Sequence, residues 1–90
     1  MALTSTARFA PTSQVLSRVL TGEAVLLDLG EGQYYGLDEI GTVIWVALEA
    51  GATVGELVRH VVDNYEVAEE TARADVDALL THLLERKLIA

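Results

Sequence analysis

The chain has no cysteine and a single proline in 90 residues. Without thiols it can form no disulfide, no thiolate metal site and no cysteine nucleophile, a composition that fits a cytoplasmic protein. Basic side chains are scarce too: 6 Lys and Arg stand against 14 Asp and Glu, for a formal net charge of −8. That field repels a phosphate backbone and attracts a basic peptide or partner, so nucleic acid is not expected as a ligand. The N-terminus lacks the basic segment followed by an apolar run that marks a signal peptide. No apolar run approaches the ~20 residues needed to cross a bilayer, so no membrane partner is expected either.

Residue types that carry catalysis are present but not in catalytic company. Ser5, Ser13 and Ser17 lack a nucleophile-elbow context. Gly30-Glu31-Gly32 has no following Lys-Ser/Thr and leads into a strand, so it is not a phosphate loop. His60 and His82 belong to different helices without ligand spacing. No enzymatic activity, metal or cofactor is expected.

What is present is apolar material, 51% of the chain, enough for one small core. Residues 1–13, small and polar around Pro11, read as a flexible lead-in, and residues 14–90 as one folded domain. Val15 to Leu20 reads as a first strand. Thr21-Gly22 makes a two-residue turn, and Ala24 to Leu29 a second strand with Val25, Leu27 and Leu29 on one face and Ala24, Leu26 and Asp28 on the other. Gly30-Glu31-Gly32 turns into a short aromatic strand over Gln33–Leu37. Asp38 can cap a first helix, whose stripe is Ile40, Val43, Ile44, Ala47 and Leu48, with Trp45 flanking it. Thr53 to Glu56 matches a capping box for a second helix ending near Asn64. Glu69 to about Lys87 forms the longest helix, on a stripe of Val76, Leu79, Leu80, Leu83 and Leu84. The expected class is α+β: a three-stranded antiparallel sheet followed by three helices, winged helix-turn-helix in style.

With no catalytic centre, the third strand is the most suggestive surface. If it is an edge, its unpaired N–H and C=O groups can template an added peptide strand along Gln33, Tyr34, Tyr35, Gly36 and Leu37. Tyr34 and Tyr35 point to opposite faces, and plain packing on the helices competes with a binding role for either. If Tyr35 presents its N–H at the edge, a proline there would remove a donor. The long helix offers a second wall: Thr71, Asp75, Ala78 and His82 border its apolar stripe, with Leu79 at the boundary. Small Ala74 and Ala78 would permit close approach, and Asp75 would suit a ligand cation or N–H, though a solvated carboxylate is an equal reading. A DNA-binding winged helix competes on topology. Its recognition helix would surround Arg73 with Glu69, Glu70, Asp75 and Asp77, which opposes phosphate contact.

The passage Gly32-Gln33-Tyr34-Tyr35-Gly36-Leu37-Asp38-Glu39, running on to Ile44-Trp45, resembles the strand-to-helix signature of PqqD-like proteins. The likeness continues through Thr53 to Leu57, Asn64 to Val67, Asp75 to Leu80 and the final Leu88-Ile89, spanning residues 14–90. It implies a RiPP recognition element: a winged-helix-like, non-catalytic domain that binds the leader segment of a ribosomally made precursor as an added strand and delivers it to another enzyme. Position by position, it implies a leader along Gln33–Leu37, with Asp75, Ala78, Leu79 and His82 near the leader's side chains. As a free-standing chain it is similar to the leader-binding proteins of lasso peptide pathways, where a separate cysteine peptidase removes the leader. The alternative within the family is a pyrroloquinoline quinone peptide chaperone that partners a radical enzyme. A monomer is the expected state. Two positions depart from the pattern: Asp38 stands for the usual Asn, and Lys87 for the usual glycine before Leu-Ile, where the helix is expected to end less sharply or run on.

Overall fold

The computed structural model describes residues 3–90, so Met1 and Ala2 of the lead-in lie outside the described residues. The element order is β1 (Val15–Leu20), β2 (Glu23–Asp28), β3 (Gln33–Gly36), α1 (Glu39–Glu49), α2 (Val54–Asn64) and α3 (Glu69–Glu85). The strands form one antiparallel sheet in the order β1-β2-β3, with β2 at the centre. Thr21 and Gly22 both have positive φ, 52° and 82°, the geometry of a turn whose twist matches its flanking strands. The second turn is organised by Asp28, whose Oδ1 accepts from Gly30 N at 2.9 Å and Glu31 N at 3.2 Å.

One face of the sheet meets the helices. On β2 the buried residues are Ala24, Leu26 and Asp28, while Val25 and Leu27 are half-exposed on the other face. Apolar content would favour the opposite choice, and Asp28 enters the buried face because it holds the turn together. Leu26 packs with Ile44, Trp45, Leu48, Leu57, Val61, Val76, Leu80 and Leu83 in a single core. Trp45, at the flank of the α1 stripe by sequence, is 1% exposed.

The β3–α1 junction is tied at Ala24. Its carbonyl accepts from Leu37 N at 2.8 Å, and its N–H donates to the buried Thr42 hydroxyl at 2.8 Å. Strand β3 therefore ends where α1 begins, and α1 is anchored to the sheet by a side chain on its first turn. Asp38 caps α1 by accepting from Gly41 N at 2.7 Å. The capping box of α2 is complete in both directions between Thr53 and Glu56, and the Thr53 N–H holds the Glu56 carboxyl below the usual glutamate range.

Two expectations give way. The lead-in is tied down: Val54 N and Gly55 N at the start of α2 donate to the Ala7 and Ser5 carbonyls, and Ala10 exchanges two backbone bonds with Ala90. Backbone makes these bonds, so the sequence does not display them, and Leu3, Ala7 and Phe9 add side-chain packing against the core. Helix α3 also ends sharply despite Lys87, which takes φ 61°. Leu88 N donates to Leu83 O and Lys87 N to Leu84 O, both at 3.0 Å, which is a Schellman motif with lysine in the position glycine prefers. The bridge between Pro11 and Ile89, and the burial of Leu88 and Ile89, hold the lysine there.

Two stability outcomes follow. Thr42→Val keeps the shape but leaves the Ala24 N–H buried and unpaired, and should cost about 1–3 kcal/mol in denaturant unfolding with an unchanged m-value. Lys87→Gly removes the left-handed penalty of a side chain, about 1–2 kcal/mol, against a smaller entropic loss in the unfolded chain, so the same measurement should show a net gain of up to about 1 kcal/mol.

Candidate functional site: an open strand edge beside α3

The register between β2 and β3 pairs Leu26 with Tyr35, Leu27 with Tyr34 and Val25 with Gly36. Antiparallel ladders alternate between residues that exchange hydrogen bonds and residues that do not. Because Leu37 N bonds to Ala24 O, the bonded set on this side is Gln33, Tyr35 and Leu37. Tyr34 and Gly36 consequently aim their backbone N–H and C=O away from β2. No strand among the described residues pairs with that side of β3. Tyr35 is thus a ladder residue inside the sheet, and a proline there would break β2–β3 pairing instead of testing the edge. This corrects the expectation that attached the open donor to Tyr35.

The two tyrosines separate cleanly. Tyr34 lies on the face away from the helices and is 73% exposed, over a shallow apolar surface with Leu16, Leu20, Val25 and Leu27. Tyr35 turns toward α3. Its ring meets His82 edge-on at 6.1 Å between centroids, and the Arg86 guanidinium carbon lies 5.3 Å from its centroid. Its hydroxyl accepts from Arg86 Nη1 at 2.7 Å and donates to Gln33 Oε1 at 2.9 Å.

Between the end of β3 and the middle of α3 lies a cavity of about 520 Å³. Gly36 and Leu37 line it from the strand, Asp75, Ala78 and Leu79 from α3, and Asp38, Ile40, Gly41 and Ile44 from α1. The structure therefore brings Gly36, Leu37, Asp75, Ala78 and Leu79 to one groove. Gln33, Tyr35 and His82 lie outside its lining, joined to one another by the Tyr35–His82 ring contact and the Tyr35–Gln33 hydrogen bond. Tyr34 contributes backbone at the edge and a ring on the far face. Thr71 is exposed near the start of α3 and does not line the cavity. Sequence reasoning missed the α1 contribution and Arg86. The first was readable from the short passage that puts Asp38 directly after the strand. Arg86 carried no signal beyond its place at the basic end of α3.

A larger cleft of about 860 Å³ opens between α1 and α2, lined by residues such as Val43, Val46, Ala47 and His60. Most of its lining comes from α1 and α2, whose backbone bonds are already made within the helices, and it includes no open edge of the sheet. Arg73 donates to Ser5 Oγ at 3.3 Å among acidic neighbours, leaving α3 without a basic face for DNA. Among the described residues no three His, Asp or Glu side chains gather as metal ligands, and no helix is long and apolar enough to cross a membrane.

The family model of coenzyme PQQ synthesis protein D, PqqD, matches residues 23–89, from the start of β2 to the last buried isoleucine. The chain belongs to the PqqD family. Two solved structures are similar over nearly their whole length. TbiB1 in complex with the TbiA(beta) leader peptide is 34% identical, with 89% of this chain and 93% of that chain covered and a TM-score of 0.83. Lasso peptide synthetase B1 complexed with the leader peptide is 26% identical, with 93% and 99% covered and a TM-score of 0.83. No curated protein matches the chain. Both PqqD-pattern departures are absorbed locally: Asp38 accepts the Gly41 N–H and so serves as the cap, and Lys87 completes the Schellman turn.

Proposed function

We propose that this PqqD-family protein binds the leader segment of a ribosomally synthesised precursor as a fourth strand beside β3, without catalysing a reaction itself. It would then deliver the precursor to a separate leader peptidase or other modifying enzyme, in a pathway of the lasso peptide type. The observation that carries this reading is the open edge of β3 at Tyr34 and Gly36, set directly against the groove to α3. Resemblance to two B1-type proteins held with leader peptides supports the pathway assignment.

The physical basis is strand addition. Backbone bonds from Tyr34 and Gly36 give affinity that does not depend on ligand sequence, while alternate ligand side chains enter the groove and give selectivity. Peptide residues facing Tyr35 and Leu37 would point toward Ala78, Leu79 and His82. Those facing Tyr34 and Gly36 would point to the opposite face of the sheet, beside the exposed tyrosine ring.

Proline at the edge is the direct test. Gly36 has ordinary extended backbone and open space around an added Cβ, so Gly36→Pro leaves β2–β3 pairing in place and removes only an outward donor. Leader titration by calorimetry should show at least tenfold weaker binding for Gly36→Pro, with Gly36→Ala close to wild type and both variants folded by circular dichroism. Equal affinities would place the leader elsewhere. Charge predicts the kinetics: with a net charge of −8, capture of a basic leader is steered, so added salt should slow association more than it changes dissociation, which stopped-flow mixing resolves.

A further inference from the structure

The flank between β3 and α3, from the groove at Leu37 to Tyr35, is electrically polarised. Strand β3 and helix α3 run past each other in opposite directions: Tyr35 touches His82 and Arg86 late in the helix, whereas Gly36 and Leu37 share the cavity with Asp75 near its middle. At the Leu37 end the walls carry two carboxylates, Asp38 and Asp75. At the Gln33 end stands Arg86, a cation on a chain that has only 6 basic residues against 14 acidic ones.

Arg86 is also held in place. One N–H of its guanidinium donates to the Tyr35 hydroxyl at 2.7 Å, and the group lies over the same ring at 5.3 Å. That partner is neutral, so the positive charge is positioned without being cancelled, and other N–H donors of the fork remain for a carboxylate. A guanidinium already fixed by a ring and a hydroxyl loses less freedom on binding than a free side chain would.

We propose that Arg86, presented by Tyr35, is a specificity-determining residue that selects a carboxylate in the second half of the bound peptide. Asp38 and Asp75 favour a basic residue in the first half. The proposal rests on the strand-addition reading above and assigns the ligand a charge order. Both strand pairs of this sheet are antiparallel. A peptide that continues that pattern beside β3 enters at Leu37 and leaves at Gln33, so the matching peptide is basic first and acidic later. The acid and the Tyr35 hydroxyl then share one guanidinium.

Selection from a displayed library of random peptides about ten residues long, roughly two typical strands at most, tests this without a known leader. Edge-dependent binders are those retained by the wild-type chain and lost by Gly36→Pro. These should be enriched in Asp or Glu toward their C-terminal half and in Lys or Arg toward their N-terminal half. Selection on Arg86→Glu should replace the acid by a base, and selection on Arg86→Gln should abolish the preference while still yielding binders. For a chosen acidic binder, Arg86→Gln should weaken binding about fivefold at low salt, the upper end for an exposed ion pair, and less at high salt. A version of the same peptide with Gln for the acid should lose nothing further. Edge-dependent binders without charge order, or an Arg86→Gln loss equal for acidic and neutral peptides, would overturn the assignment and leave Arg86 as a support for Tyr35. If no binder depends on Gly36, strand addition itself fails, and the charge order with it. Both Arg86 variants are checked by circular dichroism, and the Arg86→Gln arm decides alone if the charge reversal does not fold.

Discussion

The central strand has no backbone group to spare, and the arrangement of the site depends on that. Alternate residues of β2 bond to β1 on one side and to β3 on the other. At Ala24 the last β3-side acceptor takes Leu37 and the last donor takes Thr42. Strand β3 is thereby fixed in register over a short length, with its second side unpaired. The same two bonds stop the strand and start α1, so the groove floor from Ile40 to Ile44 is placed by the contacts that define the edge.

The helices do the rest through burial. Val76, Leu80 and Leu83 hold α3 against the core. This leaves the neighbouring Asp75, Ala78, Leu79 and His82 on the flank that looks at β3, since residues three and four apart share a helix face. At the far end, the Schellman turn at Lys87 and the Ala10–Ala90 bonds tie the end of α3 to the lead-in. Arg86 lies within that tied turn, so its reach to Tyr35 follows from how the helix is terminated.

The element order was legible in the sequence because helical and strand periods, turn glycines and two caps all agreed. Thr21-Gly22 and Thr53-to-Glu56 are local signals with local causes, and they survive any tertiary context. The sheet's inward face was not legible. Val25, Leu27 and Leu29 look more apolar than Ala24, Leu26 and Asp28, yet the second set is buried, since Asp28 is needed by its own turn and Ala24 by Thr42. From that misreadable choice follows the ambiguity of Tyr34 and Tyr35, because a one-residue shift in period two exchanges their roles. The groove residues on α3 could be proposed from a helical wheel, but which strand faced them required the register.

An unpaired strand edge invites unwanted pairing, and this chain limits it in three ways. The strand is four residues long, so few groups are exposed to a chance partner. The molecule carries a net charge of −8, so two copies repel. One wall of the approach is a helix bearing carboxylates at one end and a fixed guanidinium at the other, so a neutral hydrophobic strand gains backbone bonds there but forgoes the charge contacts. These features discourage indiscriminate pairing, and they leave room for a ligand that brings the matching side chains. The edge is thus guarded both locally, by its short length and the charged wall beside it, and by the charge of the whole molecule.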